Sequence, residues 1–142
     1  MRIEDIEREI VEEFELLGDD WEAKYEHIID LGKSLPLIDE KYKKEDYLIK
    51  GCQSRVWVSA ELENGKVIFK ADSDAIITKG IVALLIRVLS GHSPEEIINT
   101  KLEFIDKIGL KEHLSPTRSN GLVGMVKQMK LYAIAFQAKT NE

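Results

Sequence analysis
The sequence has little of what most cofactor and metal chemistry requires. Its 142 residues hold one cysteine, Cys52, and three histidines. One thiol excludes an internal disulfide, and its survival as a thiol suits a reducing cytoplasm. His27, His92 and His113 lie far apart, without metal-site spacing, so surface or capping roles serve for each. There is no phosphate loop and no Gly-rich dinucleotide turn; the nine glycines are scattered as helix stops and turns. Gly-x-Ser-x-Gly is absent, which leaves serine catalysis without support. No apolar run reaches the ~18 residues that span a bilayer. The first ten residues are too charged for a signal-peptide core. A net charge of −6 argues against nucleic-acid or anionic-membrane partners.

What is present is the material of an ordinary globular chain, 44% apolar and 32% charged. The length suits one domain over residues 1–142, long enough to bury roughly 68–70% of its unfolded surface. Ile3, Ile6, Ile10, Phe14 and Leu17 recur at helical spacing, and Gly18 ends that helix. Asp19 and Glu22 are spaced as a capping box for a second helix through Trp21, Tyr25, Ile28 and Ile29 to about Leu31, with Gly32 as a left-handed stop. Residues 39–46 are almost wholly charged and read as a solvated loop or a frayed helical turn. Tyr47-Leu48-Ile49 is short, apolar and extended in character.

After Ser54 the period changes to two. Val56, Val58, Ala60 and Leu62 alternate with polar or exposed types up to Asn64-Gly65, the strongest two-residue hairpin signal. Val67, Phe69 and Ala71 line the return strand. Asp72, Ser73 or Asp74 can cap the next helix. That helix, over 75–90, is apolar nearly all round and so should be the buried core helix, closed by Gly91. Ser93-Pro94-Glu95-Glu96 opens a short helix, and one or two short helices run on through Ile105 to Gly109. Leu114–Gly121 reads as a loop rich in caps and turn formers. A last helix carries Leu122, Met125, Val126, Met129, Tyr132, Ala133 and Phe136 on one face. The fold class is therefore α+β: a small antiparallel sheet (hairpin 55–71 plus a short strand near 47–50) packed by helices from both chain ends.

Cys52 is the residue with chemistry to offer. A free cysteine is often a small buried hydrophobe. Here it follows Gly51 at a loop-to-strand junction, and Lys50, Gln53, Ser54 and Arg55 surround it in sequence. Cations and polar donors favour thiolate over thiol, which matters because an unperturbed thiol, pKa ≈ 8.5, is only a few per cent ionised at neutral pH.

Gly51-Cys52-Gln53-Ser54-Arg55-Val56-Trp57 resembles the cysteine-centred motif of the SufE family of cysteine desulfuration proteins. Three further stretches agree in order and distance: Trp21–Tyr25 with Leu31-Gly32 and Leu35-Pro36; Asp72-Ser73-Asp74-Ala75 with Lys79-Gly80; and Leu114–Leu122. The likeness covers about residues 20–135. It implies a SufE/IscU-like fold and a sulfur acceptor in iron–sulfur cluster assembly. Cys52 would take persulfide sulfur from a SufS-like, pyridoxal-phosphate (PLP) dependent cysteine desulfurase, stimulate its turnover and pass the sulfur to a SufB-containing scaffold complex. The PLP belongs to the partner; this chain would bind no cofactor and no metal, and would have no turnover of its own. The resemblance leaves room for a homodimer. Some relatives carry Gln where this chain has Arg55.

By the same resemblance Gly51, Gln53, Ser54 and Arg118 would shape the site, Arg118 stabilising thiolate or persulfide charge; its alternative is a surface or capping arginine. Arg55, Asp74 and Lys79 would face the partner, against simple capping and solvation. Other readings stay open: an acceptor for a paralogous, CsdE-like system; a cysteine hydrolase using His92 or His113; a plain interaction module with an inert thiol. An IscU-type scaffold needs several thiolate ligands, and this chain has one.

Overall fold
In the computed structural model residues 2–49 and 54–140 are described. Helix α1 (Ile3–Glu15) buries Ile3, Ile10 and Phe14 along the stripe predicted from their spacing. Gly18, at φ +62°, ends the segment. Helix α2 (Trp21–Lys33) starts one residue later than the Asp19–Glu22 box implied: the Asp20 carboxylate accepts the Ala23 N–H at 3.1 Å. Gly32 is not the expected left-handed stop. It lies inside α2, where a Cβ would sit 2.9 Å from the Gly80 backbone nitrogen, so its glycine serves close packing rather than termination.

Strands β1 (Val56–Glu63) and β2 (Lys66–Ser73) pair antiparallel from Val56↔Ser73 to Glu63↔Lys66. Asn64 and Gly65, at φ 51° and 79°, make the turn that their sequence demanded. Val56, Val58, Val67, Phe69 and Ala71 are fully buried on the inner face. Leu48 bridges Trp57, and the Ile49 N–H donates to the Val56 carbonyl at 2.8 Å, so among the described residues the strand expected near 47–50 is reduced to one isolated bridge beside a two-stranded sheet. Tyr47 instead closes the second of two 3-10 turns, Glu40–Tyr42 and Glu45–Tyr47, which replace the charged loop. On the other edge Leu37 and then His92 bridge β2. His92 is therefore buried, not the surface histidine its polarity suggested.

Helix α3 (Ile76–Leu89) is the core helix, buried from Gly80 through Ile86 and again at Val88 and Leu89. None of Asp72, Ser73 or Asp74 caps it in the expected way; the N-cap is Ala75, without a side-chain bond. Ser73 Oγ accepts the Ala75 N–H at 3.2 Å, while Asp72 pairs with lysines and Asp74 bonds to Arg55. Gly91, at φ +84°, follows its end. Helix α4 (Pro94–Asn99) begins with the full Ser93–Glu96 capping box. Short helices α5 (Phe104–Lys107) and α6 (Leu110–His113) lead to α7 (Pro116–Thr140). The expected loop at Leu114–Gly121 is thus largely helix. Its Ser115-Pro116 pair is a helix start like Ser93-Pro94: Ser115 Oγ accepts the Arg118 N–H at 3.3 Å, and proline fits the first turn. Leu122, Met125, Met129 and Ala133 of α7 pack into the core. Among the described residues no helix is long and apolar enough to cross a membrane.

Two features tie the helices together. Gly80 of α3 rests on α2 so closely that a Cβ would lie 2.0 Å from the Ile28 carbonyl oxygen. The Glu13 carboxylate of α1 takes two hydrogen bonds from Arg87 of α3, at 2.9 and 2.5 Å, and meets His27 Nε2 of α2 at 3.1 Å.

Gly80→Ala is expected to lose stability. The ~1 kcal/mol gained from helix propensity is outweighed by overpacking of about 1–3 kcal/mol or more against rigid backbone. Thermal unfolding should show a Tm several degrees lower, with Gly32→Ala milder because its nearest contact is 2.9 Å. A Gly80→Ala protein with unchanged Tm would show that the helices separate freely. The Arg87 hydrogen bonds hold the Glu13 carboxyl below its ordinary 4.5, against the opposing effect of burial. A depressed folded pKa stabilises above the unfolded value and is lost as pH falls through the folded one. The Tm gap between wild type and Glu13→Gln should therefore be full at neutral pH and shrink below pH 4.5; a gap that widens in acid would contradict the pairing.

Candidate functional site
Cys52, Gly51 and Gln53, with Lys50, lie outside the described residues. The residues on both sides of them are bonded to the sheet. The chain leaves it at Ile49, 3% exposed, and returns at Val56, and the Ile49–Val56 hydrogen bond joins these two points. Arg55 is held from the other side. Its N–H donates to Asp74 Oδ1 at 3.0 Å, and the Asp74 N–H donates to the Arg55 carbonyl at 3.2 Å. The Asp74 carboxylate that was expected to cap α3 instead clasps the start of β1 to the turn after β2.

Ser54 opens onto a small cleft of about 60 Å³. Thr78 and Ile81 of α3 form one wall, and Thr117, Arg118, Gly121 and Met125 of α7 the other. Thr78, Ile81, Gly121 and Met125 are buried, while Arg118 stands at the exposed mouth. The helical repeat explains the convergence: residues three and four apart share a face, which aligns Thr117, Gly121 and Met125. Because the Ser115-Pro116 start makes this stretch helical, Arg118 is presented from a first turn rather than from a flexible loop.

The cations near the site differ in their partners. Lys79 pairs with Asp72 at 3.3 Å, and Lys43 reaches the same carboxylate at 2.6 Å and Glu40 at 2.9 Å. Lys43 also lies over the Trp57 ring, 5.7 Å from its centroid. Burial pushes the Asp72 carboxyl up, but bonds from Lys43, the Ser73 N–H and Lys79 outweigh it and leave the group below its ordinary value. The Lys43 ammonium is pushed up, first by its bond to Asp72 and then by Glu40. Arg118 has no ion-pair partner among the described residues. Its guanidinium is the cation of this cleft left available to an anion.

Of the site residues predicted from sequence, Ser54 and Arg118 meet in the cleft, and Arg55 and Asp74 meet beside it. Lys79 instead turns to the Asp72 network. Thr78, Ile81, Thr117, Gly121 and Met125 line the cleft without having been singled out for it. Met125 was visible only as part of the apolar face of the last helix, and Thr117 and Gly121 only as members of a capping stretch. His92 bridges Val67, and Val67 pairs with Leu62 six residues along β1 from Val56. That is about 20 Å of strand away, at the far end of the hairpin. His113 stacks on Trp21 with ring centroids 3.7 Å apart, and its Nδ1 lies 3.0 Å from the Gly109 carbonyl.

Comparison with known proteins agrees with this architecture. Residues 8–133 match the SufE family, described as an Fe–S metabolism associated domain. The chain is 39% identical over 136 residues to SufE-like protein 1, chloroplastic/mitochondrial, of Arabidopsis thaliana, covering 95% of this chain and 36% of that one. It thus spans about a third of that relative's length. It is 42% identical over 128 residues to an uncharacterized SufE-like protein of Synechocystis, covering 90% of this chain and 80% of the relative. Its fold is similar to the solution structure of a hypothetical protein from Thermus thermophilus, with a TM-score of 0.76 at 23% identity over 92% of this chain and 94% of the other. Family match, relatives and fold together show that the chain belongs to the SufE family, the Fe–S metabolism associated domain.

Proposed function
We propose that the chain is a sulfur acceptor and carrier, and that Cys52 takes persulfide sulfur from a PLP-dependent cysteine desulfurase and passes it to a SufB-containing scaffold. The observation that carries this reading is the Arg118 guanidinium, without an ion-pair partner among the described residues, at the mouth of a cleft that Ser54 also lines. Two residues of chain reach about 7 Å at full extension, so covalent connection alone keeps the Cys52 Cα within that distance of the Ser54 Cα. A nearby guanidinium favours the thiolate over the thiol and balances persulfide charge.

The transfer needs no oxidant. The Cys52 thiolate attacks the outer sulfur of the desulfurase persulfide, a new S–S bond forms, and the old one breaks with its electron pair leaving on the desulfurase thiolate. A second cysteine in the carrier would attack the persulfide and release sulfide, and this chain has none. The cleft is small, about 60 Å³. In this reading PLP chemistry belongs to the partner, and the chain acts as a sulfurtransferase-like accessory protein in the reducing cytoplasm. In this reading Gly51, Gln53 and Ser54 shape the site around the sulfur. The exposed Arg55 and Asp74 form the rim that meets the desulfurase, with Lys79 held back by Asp72.

Intact-mass spectrometry after incubation with a desulfurase, PLP and cysteine, without reductant, should show a gain of about one sulfur (~32 Da). The gain should be absent in Cys52→Ser and reversed by a thiol reductant. No gain with either of two paralogous desulfurases would reject the carrier role, and a gain with only one assigns the partner. Arg118→Ala should lower the thiolate fraction on the order of tenfold at neutral pH, from the loss of one adjacent cation. Alkylation of Cys52 followed against pH should move its midpoint upward, with Arg118→Lys in between; coincident profiles would remove Arg118 from the site.

A further inference from the structure
Helix α7 is apolar on two sides. Leu122, Met125, Met129 and Ala133 are buried at 1% exposure or less, yet Val123, Leu131 and Ile134 are 53%, 46% and 49% exposed. Steps of four and three place Val123, Lys127, Leu131 and Ile134 in one stripe, about half a turn away from Met125 and the cleft. Beside this stripe α7 forms a groove of about 270 Å³ against the segment carrying α5 and α6. Leu102, Ile105, Leu122 and Val126 line it, and Lys101, Lys111, Lys127 and Lys130 surround it, with Asp106 the carboxylate among its lining residues.

The four lysines are not equivalent. Lys130 Nζ donates to the Ile98 and Thr100 carbonyls, at 3.3 and 2.5 Å, and so serves the end of α4. Lys101, Lys111 and Lys127 have no ion-pair partner among the described residues and are exposed. Three such cations around an apolar floor stand out on a chain of net charge −6. Leu102 adds a second sign. It holds φ +52° although it is not glycine, a conformation that costs roughly 1–2 kcal/mol, and its side chain is 4% exposed. That backbone turns Leu102 into the floor while Lys101 remains at the rim.

We propose that this surface docks an acidic amphipathic helix of a partner protein, separately from the cleft. The stripe from Val123 to Ile134 runs about 16 Å along the helix axis, long enough for two or three turns of a partner helix with anchors at i, i+3, i+4 and i+7. Its apolar centre and charged rim have the anatomy of a protein interface. A second copy of this chain is a poor occupant. Its most acidic helix, α1, already buries Ile3, Ile10 and Phe14 in its own core and has no free apolar face of this kind. A partner seated here lies on the side of α7 away from Thr117, Gly121 and Met125 and leaves the cleft open.

The test is an NMR titration of the ¹⁵N-labelled full chain with a synthetic ~18-residue helical peptide carrying Leu at i, i+3, i+4 and i+7 and Glu elsewhere. A matched peptide with Lys in place of Glu serves as control. Saturable shifts at Val123, Val126, Lys127 and Leu131 are expected with the acidic peptide alone. The affinity should weaken at least ~10-fold in the triple variant Lys101→Glu/Lys111→Glu/Lys127→Glu and fall with added salt. All three positions are exposed, and circular dichroism checks the fold; Val123→Asp gives an independent loss without changing the lysines. Absence of saturable binding, equal binding of the basic peptide, or shifts confined to another face overturns the proposal. So does a wild-type dimer in sedimentation that Val123→Asp dissolves, which assigns the stripe to a second copy. Binding of dodecanoate at the groove without the peptide assigns it to a small amphiphile instead.

Discussion
The backbone contact between Gly80 and the Ile28 carbonyl sets the geometry on which the rest of the molecule depends. A Cβ at position 80 would lie 2.0 Å from that oxygen, so α2 and α3 meet at a distance only glycine permits. With α3 seated there, its remaining faces are committed. One side receives the fully buried Val56, Val58, Phe69 and Ala71 of the hairpin. The turn that carries Thr78 and Ile81 is directed at α7, and the cleft forms between them. Lys79, one residue from the contact, faces the other way and pairs with Asp72. Burying a Leu or Ile side chain contributes about 1.5–3 kcal/mol, so the apolar helix supplies the stabilising energy and the glycine pair decides where it is applied.

Electrostatics divides the neighbourhood of the cleft into two parts. Asp72 gathers Lys43 and Lys79 into a closed set and, with Glu40 and Trp57, joins the 3-10 turns to β2 and α3. Those cations are already balanced. Arg118 belongs to no such set among the described residues, and it stands where α7 begins. Asp74 and Ile49 hold the two sides of the Cys52 segment through hydrogen bonds to its flanking backbone, which leaves side-chain chemistry at the cleft to Ser54, the threonines and Arg118. The scaffold is thus tied down by paired charge, while the exposed Arg118 stands apart at the cleft mouth.

Helix α7 connects this site to the surface proposed for a second partner. Its first turn presents Arg118 and Thr117, its buried side closes the core, and its outer side carries an apolar stripe with Lys127. A single long helix thus presents three different faces.

Periodicity was enough to place most elements. The stripe Ile3–Ile10–Phe14, the alternation through Val56–Leu62, the Asn64-Gly65 turn and the unbroken apolar run of α3 each carry their local structure in their spacing, because a helix or a half-buried strand exposes its period directly in the residue types. Cys52 was legible as the residue to watch because it is the one thiol of the chain, and four motif blocks in order carried the family. What the sequence could not decide was set by contacts between distant residues. Gly32 reads as a stop and is a packing contact, since only the approach of Gly80 shows why it lacks a side chain. Ser115-Pro116 reads equally as turn and as helix start, and packing of Leu122 and Met125 selects the helix. Asp74 reads as a cap and clasps Arg55, because β1 brings that amide closer than the α3 amides. The meeting of Ser54, Thr78 and Arg118 has no local signature at all: it exists only once α3 and α7 cross, and long-range packing is what makes them do so.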